Sequence, residues 1–139
     1  MQQTTASVVY CKPTDIIVKF CSMQCSSIKI LSLSAENANF AAQLKDDFIQ
    51  SNALILVLSD GTLQNLNCIK ALKLAIVQHK KIVLVHDVTT RFPSYTVIKK
   101  LDKEIQPIFS SIVVPLAKNH LEDVWNKIED KIFDRIKVF

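Results

Sequence analysis

The stretch SNALILVLSDGTLQNLNCIKALKLAIVQHKKIVLVHD, residues 51–87, decides the fold class of this chain. It contains two dense apolar runs, Ala53 to Leu58 and Ile82 to Val85, and the residues between them have helical periodicity. The pattern predicts a strand, a helix and a second strand. Neighbouring parallel strands need such a crossover, and an apolar run without alternation is typical of a strand covered on both faces. The stretch therefore predicts the centre of a buried parallel sheet.

The only glycine of the chain, Gly61, follows the first of these runs. Together with Ser59 and Asp60 it predicts a turn at the carboxyl edge of the sheet. Open α/β sheets bind their ligands at this edge. Ser59 and Asp60 are therefore the candidate ligand edge of the domain.

Length and composition predict a single globular domain over residues 1–139. The chain is 49% hydrophobic and 22% charged, which is ordinary for a domain with one packed core. No apolar run approaches the roughly 18 residues of a membrane-spanning helix, and the first residues lack the pattern of a secretory signal. We therefore expect a cytoplasmic protein without direct membrane insertion.

The four cysteines predict neither disulfides nor a metal site, because they are too few and too scattered for a disulfide scaffold. Cys21 and Cys25 lie four residues apart, but no close His or Cys completes a tetrahedral zinc set, so we interpret them as core residues. The net charge of +4 is spread over lysines among carboxylates. Aromatic residues that could stack on bases are not interleaved with these lysines, so no nucleic-acid partner is expected.

Five predicted strands alternate strictly with five predicted helices. The strands are Ser7–Cys11, Ile28–Leu33, Ala53–Leu58, Ile82–Val85 and Ser111–Leu116. The first helix follows a Thr14 cap, and the second begins at Phe40. The third runs from Thr62 to His79, and the fourth from Tyr95 to Ile108. The fifth follows an Asn119–Glu122 capping box and has an apolar stripe that ends at Ile136. Short right-handed connections make this a flavodoxin-like α/β domain, a five-stranded parallel sheet with helices on both faces.

Ile49 and Ser51 precede the third predicted strand, which ends in Leu58 and Ser59, and the next helix carries NCIKAL at residues 67–72. These positions resemble the Toll/interleukin receptor (TIR) domain family, in which a helix ends in Ile and Ser, a strand ends in Leu-Ser, and the next helix carries Trp-Cys-x-x-Glu-Leu. The order and length of all ten elements also fit. The loop 34–39 lacks the family's Arg-Asp and Pro-Gly elements, and the first strand lacks its usual aspartate. The resemblance implies a single TIR-like domain.

Some TIR domains cleave NAD, and by the resemblance the carboxylate that does so sits at the glutamate of the signature. This chain has Ala71 there, and no Asp or Glu occurs from Gly61 to His86. Breaking a glycosidic bond gains from a nearby carboxylate, and alanine supplies neither charge nor a proton. We therefore predict a pseudoenzyme with no catalytic residue, no cofactor and no metal.

The resemblance implies instead a protein–protein interaction domain of the adaptor type. We expect it to form homo-oligomers or to bind another TIR-domain protein in cytosolic, innate-immune-type signalling. Family members typically use the loop after the second strand and the neighbouring helices. The residues expected at the interface are Ser34, Ala35, Glu36, Asn37, Asn39, Lys70 and Lys73.

Two further functions stay open at this point. A NAD-binding or NAD-cleaving TIR enzyme would recruit a displaced carboxylate, Glu36 or Asp60. A receiver-like phosphoacceptor domain would use Asp60, with Thr89 and Lys118 after the fourth and fifth strands. Against this second alternative, residues 10–12 (YCK) stand where a receiver has the acidic pair that binds magnesium.

Overall fold

The computed structural model describes residues 4–134 of the chain. These residues form a five-stranded sheet in which all neighbours are parallel and the strand order is β2-β1-β3-β4-β5. The strands are β1 (Thr4–Tyr10), β2 (Ile28–Ser34), β3 (Ala53–Leu58), β4 (Lys81–Asp87) and β5 (Val114–Leu116). The predicted class, a flavodoxin-like α/β domain with a five-stranded parallel sheet, is confirmed.

Five helices connect these strands or follow them within the described residues. They are α1 (Asp15–Cys21), α2 (Phe40–Gln50), α3 (Leu66–Val77), α4 (Tyr95–Lys99) and α5 (Leu121–Ile132). The first follows the predicted cap, since the Thr14 hydroxyl accepts a hydrogen bond from the amide of Ile17 at 3.4 Å. Across residues 4–134, every helix is too short or too polar to span a bilayer.

The central strand, β3, pairs in parallel with β1 on one side and with β4 on the other. All six of its residues are buried. Because successive side chains of a strand point to opposite faces, β3 contributes to two separate cores. One core holds Ala53, Ile55 and Val57, and the other holds Leu54, Leu56 and Leu58.

Helices cover both faces of the sheet, as predicted. On one face, α1 and α5 pack through Phe20 and Trp125, whose rings stack with centroids 4.6 Å apart. The indole Nε1 of Trp125 also donates a hydrogen bond to the carbonyl of Phe20 at 2.9 Å. On the other face, α2 and α3 contribute Phe40, Leu44, Phe48, Cys68, Ala71, Leu72 and Ala75.

The predicted helix from Thr62 to His79 is divided in two. A single 3₁₀ turn covers Thr62–Gln64, and α3 begins only at Leu66. The reason is Asn65, which has an extended backbone at φ −89° and ψ 119° and therefore cannot continue a helix from the turn.

The predicted helix from Tyr95 to Ile108 is helical only over α4, and a 3₁₀ turn follows at Gln106–Ser110. The side chain of Gln106 donates hydrogen bonds to the carbonyls of Leu101 at 2.7 Å and Lys99 at 3.2 Å, so it occupies acceptors that a longer helix would use. The last strand is also shorter than predicted, and it lies at the sheet edge, as Pro115 indicates.

The predicted Asn119–Glu122 capping box is wrong. Asn119 lies inside a 3₁₀ turn, Lys118–His120, and α5 begins at Leu121 after His120, without a side-chain cap. Asn119 is therefore two residues before the helix, although Glu122 and Asp123 still place negative charge in its first turn. The predicted apolar stripe of this helix extends to Ile136, which lies outside the described residues.

Two isoleucines of contrasting burial test the central role of β3. We expect Ile55→Ala to lower the free energy of unfolding by about 2–5 kcal/mol, because it opens a cavity at a fully buried site. The control is Ile49→Ala on α2, where the side chain is 78% exposed and the change should be below about 0.5 kcal/mol. Urea unfolding followed by circular dichroism measures both, and equal effects would contradict the assignment.

Candidate functional site

The loop between β2 and α2 presents most of the residues that the sequence proposed for an interface. Glu36, Asn37 and Asn39 are exposed, and Ser34 is half-buried. The loop is ordered by its own polar groups, since the Asn37 side chain accepts a hydrogen bond from the amide of Asn39 at 2.9 Å. Ala35 differs from the others because it is only 3% exposed, so its side chain cannot contribute to a contact surface.

The start of α3 is fixed to this loop. The carbonyl oxygen of the Asn65 side chain caps the helix by accepting hydrogen bonds from the amides of Asn67 at 2.9 Å and Cys68 at 3.3 Å. The amide of the Asn67 side chain donates a hydrogen bond to the carbonyl of Ala35 at 2.8 Å. This hydrogen bond joins the loop to the first turn of α3.

The outward face of α3 combines apolar and basic side chains. Leu66 is 76% exposed and Val77 is 73% exposed, and the exposed Lys70 lies one turn after Leu66 on the same face. We call Glu36, Asn37, Asn39, Leu66 and Lys70 the loop–helix surface.

The positive charge of Lys73, which lies beside this surface, is paired with a carboxylate of the same chain. Its Nζ forms an ion pair with the carboxylate of Asp102, and the hydrogen bond to Asp102 is the main reason that the pKa of Lys73 is raised. Because Lys73 already forms an ion pair with Asp102, Lys70 is the lysine of α3 that is more available to a partner. Of the two lysines proposed from the sequence, Lys73 thus has an intramolecular partner and Lys70 is exposed at the surface.

The inward face of α3 is closed to solvent. Ala71, at the position of the signature glutamate, is fully buried in the core that α2 and α3 form with the sheet. Cys68 lies in the same core, where burial, with a smaller contribution from nearby Cys11, raises the pKa of its thiol to about 12. The side chain at position 71 therefore points into the core and not to solvent.

The turn at the end of β3 is built mainly by Thr62. The hydroxyl of Thr62 accepts a hydrogen bond from the amide of Ser59 at 2.9 Å and lies 3.1 Å from the Ser59 hydroxyl. Gly61 has a left-handed backbone with φ +81°, which glycine adopts without strain. Ser59 therefore has a structural role in this turn, while Asp60 is exposed and available.

A cleft of about 390 Å³ opens between this turn and the segment that follows β4. Asp60 and Gly61 line it on one side, and Arg91, Phe92 and Ser94 line it on the other. The ring of Phe92 contacts His86 edge-on, with centroids 5.3 Å apart, and the imidazole of His86 is hydrogen-bonded to the Thr90 carbonyl at 3.0 Å. The cleft thus offers one cation, one carboxylate and one aromatic ring to a small polar ligand.

Among the residues of the receiver alternative, Thr89 has an intramolecular partner. Thr89 is engaged with Asp87, because its amide and its hydroxyl both donate hydrogen bonds to Asp87 Oδ1, at 3.0 and 2.7 Å. Asp87 is fully buried, and its Oδ2 has no hydrogen-bond partner among the described residues. Lys118 lies in the 3₁₀ turn before α5. Thr89 is therefore used to hold the loop after β4.

All four cysteines lie within residues 4–134, and none is in a disulfide. In the same part of the chain, no group of three or more His, Cys, Asp or Glu side chains is placed to hold a metal ion. The thiol sulfur of Cys11 accepts a hydrogen bond from the side-chain Nδ2 of Asn65 at 3.6 Å, which connects the end of β1 to the start of α3. Cys11, directly after β1, therefore contributes to the shape of the carboxyl edge.

Comparison of the sequence with protein-family models and with curated proteins found no match in either set. The assignment of the fold therefore rests on the strand order and the helices of the structure. The resemblance to the TIR family rests on the residues quoted above, so its functional consequences are proposals.

Some residues of these sites were not expected from the sequence. Asn65 lies within the predicted helix from Thr62 to His79, yet it is the cap of α3, and the apolar Leu66 that follows it is exposed. The preference of asparagine for the position before a helix could have identified Asn65. Arg91 and Phe92 reach the cleft only through the fold, because about 30 residues separate them from Asp60 in sequence.

A pair of asparagines tests the assignment of the α3 cap. We expect Asn65→Ala to lower the free energy of unfolding by about 0.5–2 kcal/mol, because two amides of α3 lose their acceptor. Asn119→Ala is the matched control and should change it by less than about 0.5 kcal/mol, since Asn119 lies in the turn before α5 and not at its cap position. Urea unfolding measures both variants. A larger loss for Asn119→Ala would restore the capping box that the structure contradicts.

Proposed function

We propose that this chain is a TIR-like interaction domain that self-associates or binds another TIR domain in a cytosolic signalling assembly, and that it does not hydrolyse NAD. The observation that supports this most directly is the hydrogen bond from Asn67 to the Ala35 carbonyl, which joins the two predicted contact elements. A partner meets a single ordered surface rather than a separate loop and helix.

The composition of the loop–helix surface supports protein binding. Leu66 is an exposed apolar side chain, and the other members of the surface have exposed charged or amide side chains, namely Glu36, Asn37, Asn39 and Lys70. Protein interfaces commonly combine an apolar centre with a polar rim. Glu36 and Lys70 also carry opposite charges, so two copies of the surface can pair Glu36 of one with Lys70 of the other.

The same helix argues against the enzyme. Ala71 is fully buried, and its helix has no Asp or Glu anywhere along its length. Hydrolysis of a glycosidic bond at this position would lack the carboxylate that stabilises the developing positive charge. The carboxylates proposed as substitutes lie elsewhere, Glu36 in the exposed loop and Asp60 at the edge of the cleft.

A second candidate function, ligand binding without hydrolysis, is favoured by the cleft of about 390 Å³ at the carboxyl edge. Arg91 can pair with a phosphate or carboxylate group, and Phe92 can stack on a planar ring. These groups suit a nucleotide-like ligand, and parallel α/β sheets commonly bind such ligands outside the carboxyl ends of their strands.

The association proposal is tested by reversing charges on the loop–helix surface. We expect Lys70→Glu to weaken self-association about tenfold, corresponding to about 1.4 kcal/mol, because it places like charges opposite each other. The double variant Lys70→Glu with Glu36→Lys should recover the association. Lys127→Glu, on α5 at the other face of the sheet, is the control and should have no effect. Light scattering over a concentration series measures all four proteins. Association that is unchanged in Lys70→Glu excludes this surface.

The loss of catalysis is tested with purified protein and NAD at high concentration. We expect no nicotinamide release from the parent chain, because the signature position holds a buried alanine. Ala71→Glu should not create activity and should lower the free energy of unfolding by about 3 kcal/mol or more, because the new carboxylate would be buried without a partner. Turnover by the parent that Glu36→Ala or Asp60→Ala abolishes would show that a displaced carboxylate is catalytic.

A further inference from the structure

The two edges of the sheet differ in how well they are protected. β5 forms one edge, and it is only three residues long and contains Pro115, which cannot donate a backbone hydrogen bond. β2 forms the other edge, and its seven residues, IKILSLS, include neither proline nor glycine. Short strands and prolines are common means by which proteins block the edge of a sheet. The edge at β2 is therefore long and lacks this protection.

The direction of the backbone groups of β2 follows from its pairing with β1. The register between the two strands is continuous, and the amide of Ala35 donates a hydrogen bond to the carbonyl of Tyr10 at 2.8 Å. Because successive residues of a strand direct their backbone groups to opposite sides, every second residue before Ala35 also faces β1. The intervening residues Ile28, Ile30 and Ser32 therefore direct their amides and carbonyls away from β1. Within residues 4–134, β1 is the only strand beside β2.

The side chains in the middle of β2 are incompletely covered. Ile30 and Leu31 are half-buried on opposite faces of the sheet, and Ser32 is exposed. Ile28 and Ile30 also line an open cavity of about 520 Å³, together with the segment after α1. A strand placed against this edge would cover part of Ile30 and Leu31 and remove apolar surface from water.

The single charged residue of β2 has a carboxylate nearby. A lysine on an edge strand opposes the addition of another strand, because its charge must stay in water. Burial raises the pKa of Asp47 on α2, as does the neighbouring Asp46, and the charge of Lys29 lowers it. Lys29 is thus close enough to Asp47 for the two charges to compensate each other, which weakens its protective effect.

The charges of α2 are arranged against its own dipole. Asp46 and Asp47 lie towards its C-terminal end, where carboxylates are unfavourable, and its first turn has no acidic residue. Asn39, which precedes the helix, makes no capping hydrogen bond through its side chain. The two carboxylates of α2 are therefore complementary to the positive N-terminal end of a second helix that runs antiparallel beside it.

A second copy of this chain supplies such a helix. When two β2 strands pair antiparallel about a two-fold axis, both α2 helices lie on the same face of the joined sheet and run in opposite directions. The C-terminal end of each α2 then lies on the side of the N-terminal end of the other. A strand from an unrelated protein would occupy the edge without this helix, so the open edge and the charges together favour a second copy.

We propose that two copies of this chain associate through β2 and join their five-stranded sheets into one continuous sheet. The carbonyl of Ser34 already accepts a hydrogen bond from the amide of Asn37 at 3.1 Å, so the pairing uses Ile28, Ile30 and Ser32. Ile30 then lies opposite Ile30 of the second copy, and Ile28 lies opposite Ser32. This interface does not use Lys70 of the loop–helix surface, and it does not depend on the TIR-like function proposed above.

Amide hydrogen exchange followed by NMR tests the proposal on the unmodified chain. In concentrated solution, where most of the protein is dimeric, we expect exchange at Ile30 and Ser32 to be about tenfold slower or more than in dilute solution. Leu31 is the internal reference, because its amide faces β1 and is already protected in the monomer. Association through the loop–helix surface alone would leave Ile30 and Ser32 unprotected. Exchange at these two amides that does not respond to concentration overturns the proposal.

Proline at the centre of the pairing provides the matching variant, studied in the Lys70→Glu background so that the loop–helix surface does not contribute. Ile30→Pro removes an amide that points away from β1, so the hydrogen bonds between β1 and β2 remain. We expect Lys70→Glu to form dimers in light scattering and the double variant with Ile30→Pro to be monomeric. The control is Ile112→Lys, which changes a side chain that is 79% exposed near the opposite edge and should leave the dimer intact.

Circular dichroism shows whether each variant is folded, and Ile30→Lys replaces Ile30→Pro if the proline variant is not. Dimers that persist in the folded variant at position 30 overturn the proposal. A Lys70→Glu protein that stays monomeric at every concentration also overturns it, as does loss of the dimer in folded Ile112→Lys.

Discussion

The burial of β3 on both faces is the constraint on which the rest of this structure depends. A strand whose six residues are all buried needs a hydrogen-bonding neighbour on each side and a layer of helices on each face. Parallel pairing then requires a crossover connection that returns the chain over one face of the sheet. This explains why strands and helices alternate along the chain. The order β2-β1-β3-β4-β5 is one of the common solutions for five strands connected in this way.

Burying the central strands also forces polar groups at their ends to find partners. Near the amino edge, the hydroxyls of Ser7 and Ser51 lie 2.5 Å apart, and the Lys80 ammonium donates to the Ser51 carbonyl, also at 2.5 Å. Ser51 is one of the residues that resembles the TIR pattern, and here its role is to connect β1 with the start of β3. At the carboxyl edge, Thr62 has the corresponding role for the turn after β3. Several polar residues next to the central strands are therefore structural.

The two faces of the sheet present different chemistry. On the face covered by α2 and α3, the loop–helix surface combines one exposed apolar side chain with exposed charged and amide side chains. On the face covered by α1 and α5, a cavity is lined by Ile28 and Ile30 of β2 and by the segment after α1. Because the sheet separates these two surfaces, a protein bound at α3 does not cover this cavity.

The sequence by itself determined the class of fold, because the spacing of apolar residues records which strands and helices must be buried. The unbroken run of β3, the stripe of α2 and the cap at Thr14 are all local patterns, and the structure contains each of them. Only the tertiary structure decided where helices end and which residues meet. Asn119 has the sequence of a cap but lies in a turn, Leu66 has an apolar side chain but faces water, and Arg91 joins Asp60 at one cleft. The physical reason is that local propensities differ by about 1 kcal/mol or less, so contacts between distant segments decide among them.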